Sequence, residues 1–125
     1  MNGATMMGLA RTAVGLVLVA APAAALGLSR REPPTGASVL LMRTIGIRDV
    51  VIGLGTFSAG RAGTDADARR WLRTGLKSDA MDAVTGLLSR RSIGPTETAV
   101  AVGAAAVFVG LDLWAITSLS TPPTS

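Results

Sequence analysis

The sequence predicts an all-α protein that forms a transmembrane four-helix bundle. Hydrophobic residues make up 49% of the 125 positions, charged residues only 16%, and the mean hydropathy is +0.48. Soluble domains carry roughly 25% charged residues, so this composition indicates a lipid bilayer as the surrounding solvent. Residues 1–125 are predicted to form one integral membrane domain.

Three residue types that carry much of protein chemistry are missing: histidine, cysteine and tyrosine. Their absence excludes disulfides, Cys/His zinc sites and Ser-His-Asp or Cys-His nucleophiles. We therefore predict no cofactor, no metal and no enzymatic activity. The net charge of +4 does not indicate a nucleic-acid partner, because the arginines occur as short pairs without aromatic residues on which bases could stack. Such pairs between apolar segments are typical of loops at a membrane surface.

The first predicted span covers residues 9–28, because no charged residue occurs between Thr12 and Ser29. About 20 apolar residues are needed to cross the hydrocarbon core. A cleaved signal peptide is the alternative, since the small residues from Ala21 to Ala25 suit a cleavage site. Only Arg11 precedes the apolar run, so we expect the segment to be retained.

The second and fourth predicted spans cover residues 39–60 and 98–119. The second carries Arg48 and Asp49 near its centre, and the fourth has Asp112 as its single charge. Prolines and glycines predict a loop over 29–38, and a polar loop is predicted over 61–67. Both termini are expected on the cytoplasmic side.

The third segment, residues 68–90, has two interpretations. Lys77, Asp79 and Asp82 would together cost roughly 8–10 kcal/mol near the bilayer centre, so the segment spans only if neighbouring helices supply partners. The alternative is three spans plus an amphipathic helix over 68–90 on the membrane surface. Counting arginines on the two sides of a four-span arrangement gives a tie, so the positive-inside rule does not decide between the two.

Charge balance favours four spans. The four segments would then place four basic and four acidic side chains in the membrane: Arg43, Arg48, Arg73 and Lys77 with Asp49, Asp79, Asp82 and Asp112. Charges in hydrocarbon are expected to face the bundle interior and pair. Their positions along the helices predict the pairs Arg48–Asp79, Arg43–Asp82 and Lys77–Asp112. The candidate site is thus an intramembrane polar network of Arg43, Arg48, Asp49, Lys77, Asp79, Asp82 and Asp112.

Three roles are open to these acids. A buried ion-pair network that sets helix register is the preferred interpretation, because the signs balance. A proton or cation relay is the second, since intramembrane carboxylates often have that role. A catalytic carboxylate pair is the third, although neither a nucleophile nor a set of metal ligands accompanies it.

The stretch G-I-R-D, Gly46 to Asp49, is followed by V-V-I-G-L-G. It resembles an uncharacterised family of small four-helix integral membrane proteins with a G-x-R-D-x-x-x-G motif in the second helix. The stretch S-D-A-x-D, Ser78 to Asp82, is similar to that family's acidic stretch. The resemblance implies four spans, and it carries over neither an activity nor functional residues.

The predicted function is that of a non-enzymatic accessory or scaffold subunit in the plasma membrane. The alternative is a carrier that couples a small solute to protons or cations. The expected surroundings are the lipid bilayer, together with a second copy of the chain or another membrane protein as partner.

Overall fold

A computed structural model of the chain is helical throughout: 93% of the described residues lie in helices and none of them lies in a strand. The structure describes residues 2–27 and 35–119. The predicted all-α class is confirmed. Residue 28 at the end of the first predicted span, most of the predicted loop over 29–38 and the tail after residue 119 lie outside the described residues.

The long helices form an up-and-down four-helix bundle in the described part of the chain. The elements are α1 (Gly3–Ala20), α2 (Pro22–Gly27), α3 (Gly36–Ala62), α4 (Asp65–Leu88) and α5 (Arg90–Thr117). Helix α1 packs on α3, α3 on α4, α4 on α5, and α5 closes the ring on α1. In each of these pairs, the residue numbers rise along one helix while those of the contacting residues fall along its neighbour. All neighbouring helices are therefore antiparallel. Asn2 and Leu119 therefore lie at the same end of the bundle.

Side chains that cap the backbone determine where the helices begin. Asn2 accepts a hydrogen bond from the Thr5 backbone N–H at 2.8 Å. Helix α4 begins with a capping box, in which Thr64 and Asp67 each accept a hydrogen bond from the other's backbone N–H. A similar box at Thr35 begins α3. These caps satisfy N–H groups that a helix leaves unpaired in its first turn.

Two prolines interrupt the helical path. The first predicted span, 9–28, is instead α1 followed by a short α2. Pro22 disfavours a helical conformation at the preceding residue, and Ala21 accordingly has non-helical dihedral angles (φ −133°, ψ 56°). In α5 the backbone breaks at Gly94 (φ 86°, ψ 170°), immediately before Pro95. Only glycine adopts this φ without steric cost, so α5 consists of one initial turn and a long helix after the break.

Glycines bring α1 and α3 into backbone contact. They recur every seventh residue: Gly8 and Gly15 on α1 face Gly53 and Gly46 on α3. A Cβ atom on Gly15 would lie 2.6 Å from the Gly46 carbonyl oxygen, and one on Gly46 would lie 2.7 Å from that of Gly15. Small residues allow this close approach, which is typical of helix pairs in membranes.

Hydrophobic side chains are divided between a small core and the outer surface. The core lies in the half of the bundle that holds Asn2 and is built from Ala4, Met7, Ala59, Ala68, Leu72, Ala115 and Leu119. Many larger apolar side chains face outward: Leu40 is 67% exposed, Val107 62% and Leu88 78%. The bundle is therefore apolar outside, while Arg11 and Asp112 are among its most deeply buried side chains.

Two of the described helices, α1 and α5, are long and apolar enough to cross a membrane by length and composition. Helix α3 is not one of them, because every stretch of 18 residues within it contains Arg48, Asp49 and either Arg43 or Arg61. By composition alone, therefore, only α1 and α5 of the described helices are suited to a membrane. Whether α3 and α4 also cross it depends on where their charged side chains lie in the bundle.

Candidate functional site

Arg11 of α1 lies at the centre of a buried cluster of charges. Its guanidinium group contacts carboxylates from the three other long helices. Nη2 donates to Asp79 at 2.5 Å and to Asp112 at 2.8 Å, and Nη1 donates to Asp79 at 3.2 Å and to Asp49 at 3.3 Å. One arginine thus ties α1 to α3, α4 and α5 at one level of the bundle.

Two neighbours shape the space around the Arg11 guanidinium. A Cβ atom on Gly75 would lie 3.0 Å from Nη2 and 3.1 Å from the Asp112 Oδ2 atom, so the absence of a side chain there leaves room for this ion pair. The ring of Phe108 lies 4.8 Å from the guanidinium carbon, a distance at which a cation is attracted to an aromatic face.

Arg48 forms a second branch of the same cluster. Its guanidinium group makes a two-pronged contact with Asp82, at 3.0 Å from Nη1 and 2.7 Å from Nη2. It also donates to Asp49 Oδ1 at 3.3 Å, the oxygen that Arg11 contacts. Asp49 therefore bridges the two arginines. We call these six residues the charge cluster: Arg11, Arg48, Asp49, Asp79, Asp82 and Asp112.

The Arg11 branch of the charge cluster is closed to solvent. The side chains of Arg11 and Asp112 are each 1% exposed, and those of Asp49 and Asp79 are nearly as deeply buried. The Arg48–Asp82 pair is more open, with side-chain exposures of 31% and 39%. Buried charges are tolerated when they are paired and hydrogen-bonded, and each aspartate of the closed branch has at least one hydrogen bond from Arg11.

The charge cluster contains four carboxylates and two guanidinium groups, so the two signs do not balance. One carboxylate oxygen, Oδ1 of Asp112, is buried without a hydrogen-bond partner. No group of acidic side chains among the described residues has an arrangement that could hold a metal ion. Chemically, the arrangement can therefore cross-link four helices or hold a proton on the acid that is least well paired.

The structure brings together five of the seven predicted network residues: Arg48, Asp49, Asp79, Asp82 and Asp112. The predicted pairings are wrong. Asp79 and Asp112 pair with Arg11, and Asp82 pairs with Arg48. The predicted balance of four bases and four acids is also wrong for the charge cluster. Arg43, Arg73 and Lys77 lie outside the cluster, and Arg11, which was not one of the four predicted bases, lies at its centre.

Arg43 and Lys77 are the two predicted members that the charge cluster does not contain. Arg43 is exposed and donates to the Val19 carbonyl oxygen at 3.3 Å. This carbonyl belongs to the last turn of α1, where backbone oxygens lack helical partners and attract cations. Lys77 is exposed on the outer face of α4, as is Arg73.

Sequence reasoning missed Arg11 because it took the residue to be the charged start of an apolar run. Helix α1 begins at Gly3, so Arg11 lies about 12 Å along its axis, close to the middle. A signal was present in the glycine spacing. Gly8, Arg11 and Gly15 share one helical face, as do Gly46, Asp49 and Gly53 on the helix that packs against it.

No family profile, curated protein or solved structure matches the chain. The resemblance to a family with a G-x-R-D motif therefore stays a prediction. The class defined by the described residues is an all-α bundle with two helices suited to a membrane and a buried arginine–aspartate cluster.

Proposed function

We propose that this protein is an integral membrane protein of the plasma membrane in which α1, α3, α4 and α5 all span the bilayer. Its role is that of a non-enzymatic accessory or scaffold subunit, and the charge cluster holds the four helices in register. The single observation that carries the proposal is an inverted distribution of side chains: the charge cluster lies inside the bundle, and large apolar residues cover its outer surface.

This inversion is unfavourable in water and favourable in lipid. In water, exposed Leu, Val and Ile side chains of the bundle would form extensive apolar surface, which soluble monomers rarely present. In hydrocarbon the same side chains contribute roughly 0.3–0.6 kcal/mol each to insertion. Charged side chains in a membrane face the bundle interior and pair, as Arg11 does with three aspartates.

The position of α4 supports four spans over three. Its buried face consists of Ala68, Leu72, Gly75, Asp79 and Gly86, and this face packs against α3 and α5. Asp79 and Asp82 form ion pairs with Arg11 and Arg48, which offsets part of the insertion cost that composition assigns to this segment. A helix lying on the membrane surface would lose both ion pairs.

Cysteine labelling tests the number of spans, because the chain has no native cysteine. Ala62 and Ser92 are exposed positions at opposite ends of α4. Ala62→Cys and Ser92→Cys are each labelled in sealed vesicles with a membrane-impermeant maleimide. We expect labelling from opposite sides, with both positions reactive after permeabilisation and the cysteine-free parent as the blank.

Labelling of both cysteines from the same side would overturn the four-span proposal. It would leave three spans with the 68–90 segment on the surface. Labelling of neither position before permeabilisation would place both ends of α4 inside the vesicle and contradict the proposal in the same way.

The excess of carboxylates favours a second candidate function, a proton- or cation-coupled carrier. Four acids share two arginines, and Oδ1 of Asp112 has no hydrogen-bond partner. An acid with spare capacity to bind a proton is what a relay requires. The Arg11 branch is closed to solvent, however, and a solute path would need an opening there. This closure favours the structural role over the carrier function.

Proton flux separates the two candidates. Proteoliposomes are loaded with a pH-sensitive dye, and an imposed membrane potential drives proton entry through the parent and through Asp112→Asn. The structural role predicts that both acidify no faster than empty liposomes. If the parent acidifies the interior and Asp112→Asn does not, while the two proteins melt at the same temperature, the carrier function replaces the structural one.

A further inference from the structure

The outer face of α4 changes character halfway along the helix. Its first half exposes Arg70, Arg73 and Lys77, and its second half exposes Met81, Val84 and Leu88. These residues recur at intervals of three and four positions and therefore form one continuous face. One end of this face is cationic and the other is apolar.

Two of the three cations in this half, Arg73 and Lys77, have no acidic partner among the described residues. Arg70 interacts with Asp67, whose carboxylate also accepts a hydrogen bond from Thr64 in the helix cap. Together with Ala66 and Thr74, the three cations line a shallow concavity of about 400 Å³.

The geometry of the helix directs these cations toward one membrane surface. Helix α4 begins at the end of the bundle that holds Asn2, and Lys77 lies about 18 Å along it from Asp65. Side chains on a helix lean toward its N-terminus, and long Lys and Arg side chains extend further to reach the headgroup region. We therefore expect Arg73 and Lys77 to extend toward the leaflet at that end.

We propose that this face of α4 binds an anionic phospholipid of that leaflet. Arg70 and Arg73 contact the phosphate headgroup, Lys77 extends toward it from the middle of the helix, and the acyl chains lie along Met81, Val84 and Leu88. The order of cationic and apolar residues along α4 matches the order of headgroup and chain in one lipid molecule. This inference rests on the proposed function, since it requires α4 to cross the bilayer.

Charge complementarity selects a lipid over a second copy of the chain. Four of the described acids pair with Arg11 and Arg48 in the charge cluster, and Asp67 is engaged by its own helix cap. The two other described acids, Asp65 and Glu97, lie at opposite ends of the bundle, so the described part of another copy has no face with three acids to match the three cations. Anionic lipids supply that charge at the membrane surface toward which the cations extend.

Lipid selectivity of the reconstituted protein tests the proposal. The full chain is placed in phosphatidylcholine bilayers with trace spin-labelled phosphatidylglycerol or spin-labelled phosphatidylcholine, and the immobilised fraction of each label gives their relative association constant. We expect the parent to prefer phosphatidylglycerol. Each cation removed by Arg70→Gln, Arg73→Gln or Lys77→Gln should lower that preference by about fivefold.

A triple substitution at the other half of the bundle is the matched control. Arg43, Arg90 and Arg91 are exposed, and changing all three to glutamine removes the same charge as changing Arg70, Arg73 and Lys77. The control should keep the phosphatidylglycerol preference, and the α4 triple variant should lose it. The charge-conserving variant Lys77→Arg should keep it as well.

Three outcomes would overturn the inference. The first is equal association of the two labels with the parent protein. The second is an equal loss of preference in the two triple variants, which would show an effect of net charge alone. The third is displacement of the label by inorganic phosphate at the concentration of the lipid, which would indicate a site for free phosphate. The cysteine labelling of α4 tests the four-span proposal separately from lipid binding. If the two cysteines label from opposite sides but the protein shows no lipid preference, the lipid-binding inference is contradicted and the four-span proposal is not.

Discussion

At the scale of single residues, Arg11 forms ion pairs with carboxylates from three helices at once. Its replacement by glutamine leaves Asp49, Asp79 and Asp112 close together without their shared cation. Removal of one partner of a buried pair costs about 3–5 kcal/mol. We therefore expect Arg11→Gln to lower the stability of the purified protein in detergent by at least that amount, measured as a loss of the folded fraction on thermal unfolding.

Arg91→Gln is the control for Arg11→Gln, because Arg91 is exposed and its loss changes the net charge equally. It should melt with the parent. Arg11→Lys should fall between the two, since an ammonium group keeps the charge but cannot contact several carboxylates with a planar fork. Parent-like melting of Arg11→Gln would show that the charge cluster does not hold the bundle together.

Asp67 lies in the polar first turn of α4, before the predicted span 68–90, and provides a test of pH dependence. Hydrogen bonds from Thr64 lower the pKa of its carboxyl group. Because the folded pKa lies below the unfolded value, the stabilisation is present above the unfolded pKa and is lost as the pH falls through the folded one. In Thr64→Val, an NMR titration should show the pKa of Asp67 rising toward its ordinary value.

Thr74→Val is the control for the Asp67 titration. It removes a hydroxyl group from the same helix, but that hydroxyl donates to the Arg70 carbonyl oxygen. The pKa of Asp67 should be unchanged in this variant. An unchanged pKa in Thr64→Val as well would mean that the cap is not the cause of the shift.

At the scale of elements, the α1–α3 pair is the most closely packed part of the bundle. A Cβ atom added to Gly46 would lie 2.7 Å from the Gly15 carbonyl oxygen and 2.9 Å from the Cβ of Leu18. Both helices would have to move apart. Gly46→Ala should therefore cost on the order of 1–3 kcal/mol of stability, measured by thermal unfolding in detergent.

Gly103→Ala is the opposite case on α5. A Cβ atom there meets nothing within 4 Å, and alanine favours a helix over glycine by up to about 1 kcal/mol. This substitution should leave stability unchanged or raise it. If Gly46→Ala and Gly103→Ala behave alike, close packing is not what joins α1 to α3.

At the scale of the whole molecule, the antiparallel ring places Asn2 and Leu119 at one end. Gly3 lies against Ser118 there. We expect epitope tags at the two ends of the chain to be digested by a protease added to one side of sealed vesicles and protected from the other. Protection of one tag alone would mean an odd number of spans.

Much of this architecture could be predicted from the sequence. The predicted second and third spans, 39–60 and 68–90, begin and end within about three residues of α3 and α4, because the polar loops and caps between them are local signals. Five members of the charge cluster were predicted from the cost of charges in hydrocarbon. Arg11, the pairings and the outward orientation of Lys77 were not.

These failures share one physical cause. Sequence determines the spacing of side chains along each helix, whereas pairing depends on how far neighbouring helices slide and rotate. A shift of one residue moves a side chain about 1.5 Å along the axis and about 100° around it. Arg48 was paired with Asp79 on depth alone, but the rotation of α4 presents Asp82 to Arg48 and Asp79 to Arg11.

The sequence alone determined that the chain is helical, that some of its segments are long and apolar enough for a bilayer, and that its charged fraction lies below that of ordinary soluble domains. These properties depend on composition and on local spacing. The tertiary structure alone decided that Arg11 joins the acids, that Arg43 caps α1 and that Lys77 faces outward. The close approach of α1 and α3 at their glycines sets the positions of Arg11 and Asp49, and contacts between distant parts of the chain cannot be read from local spacing.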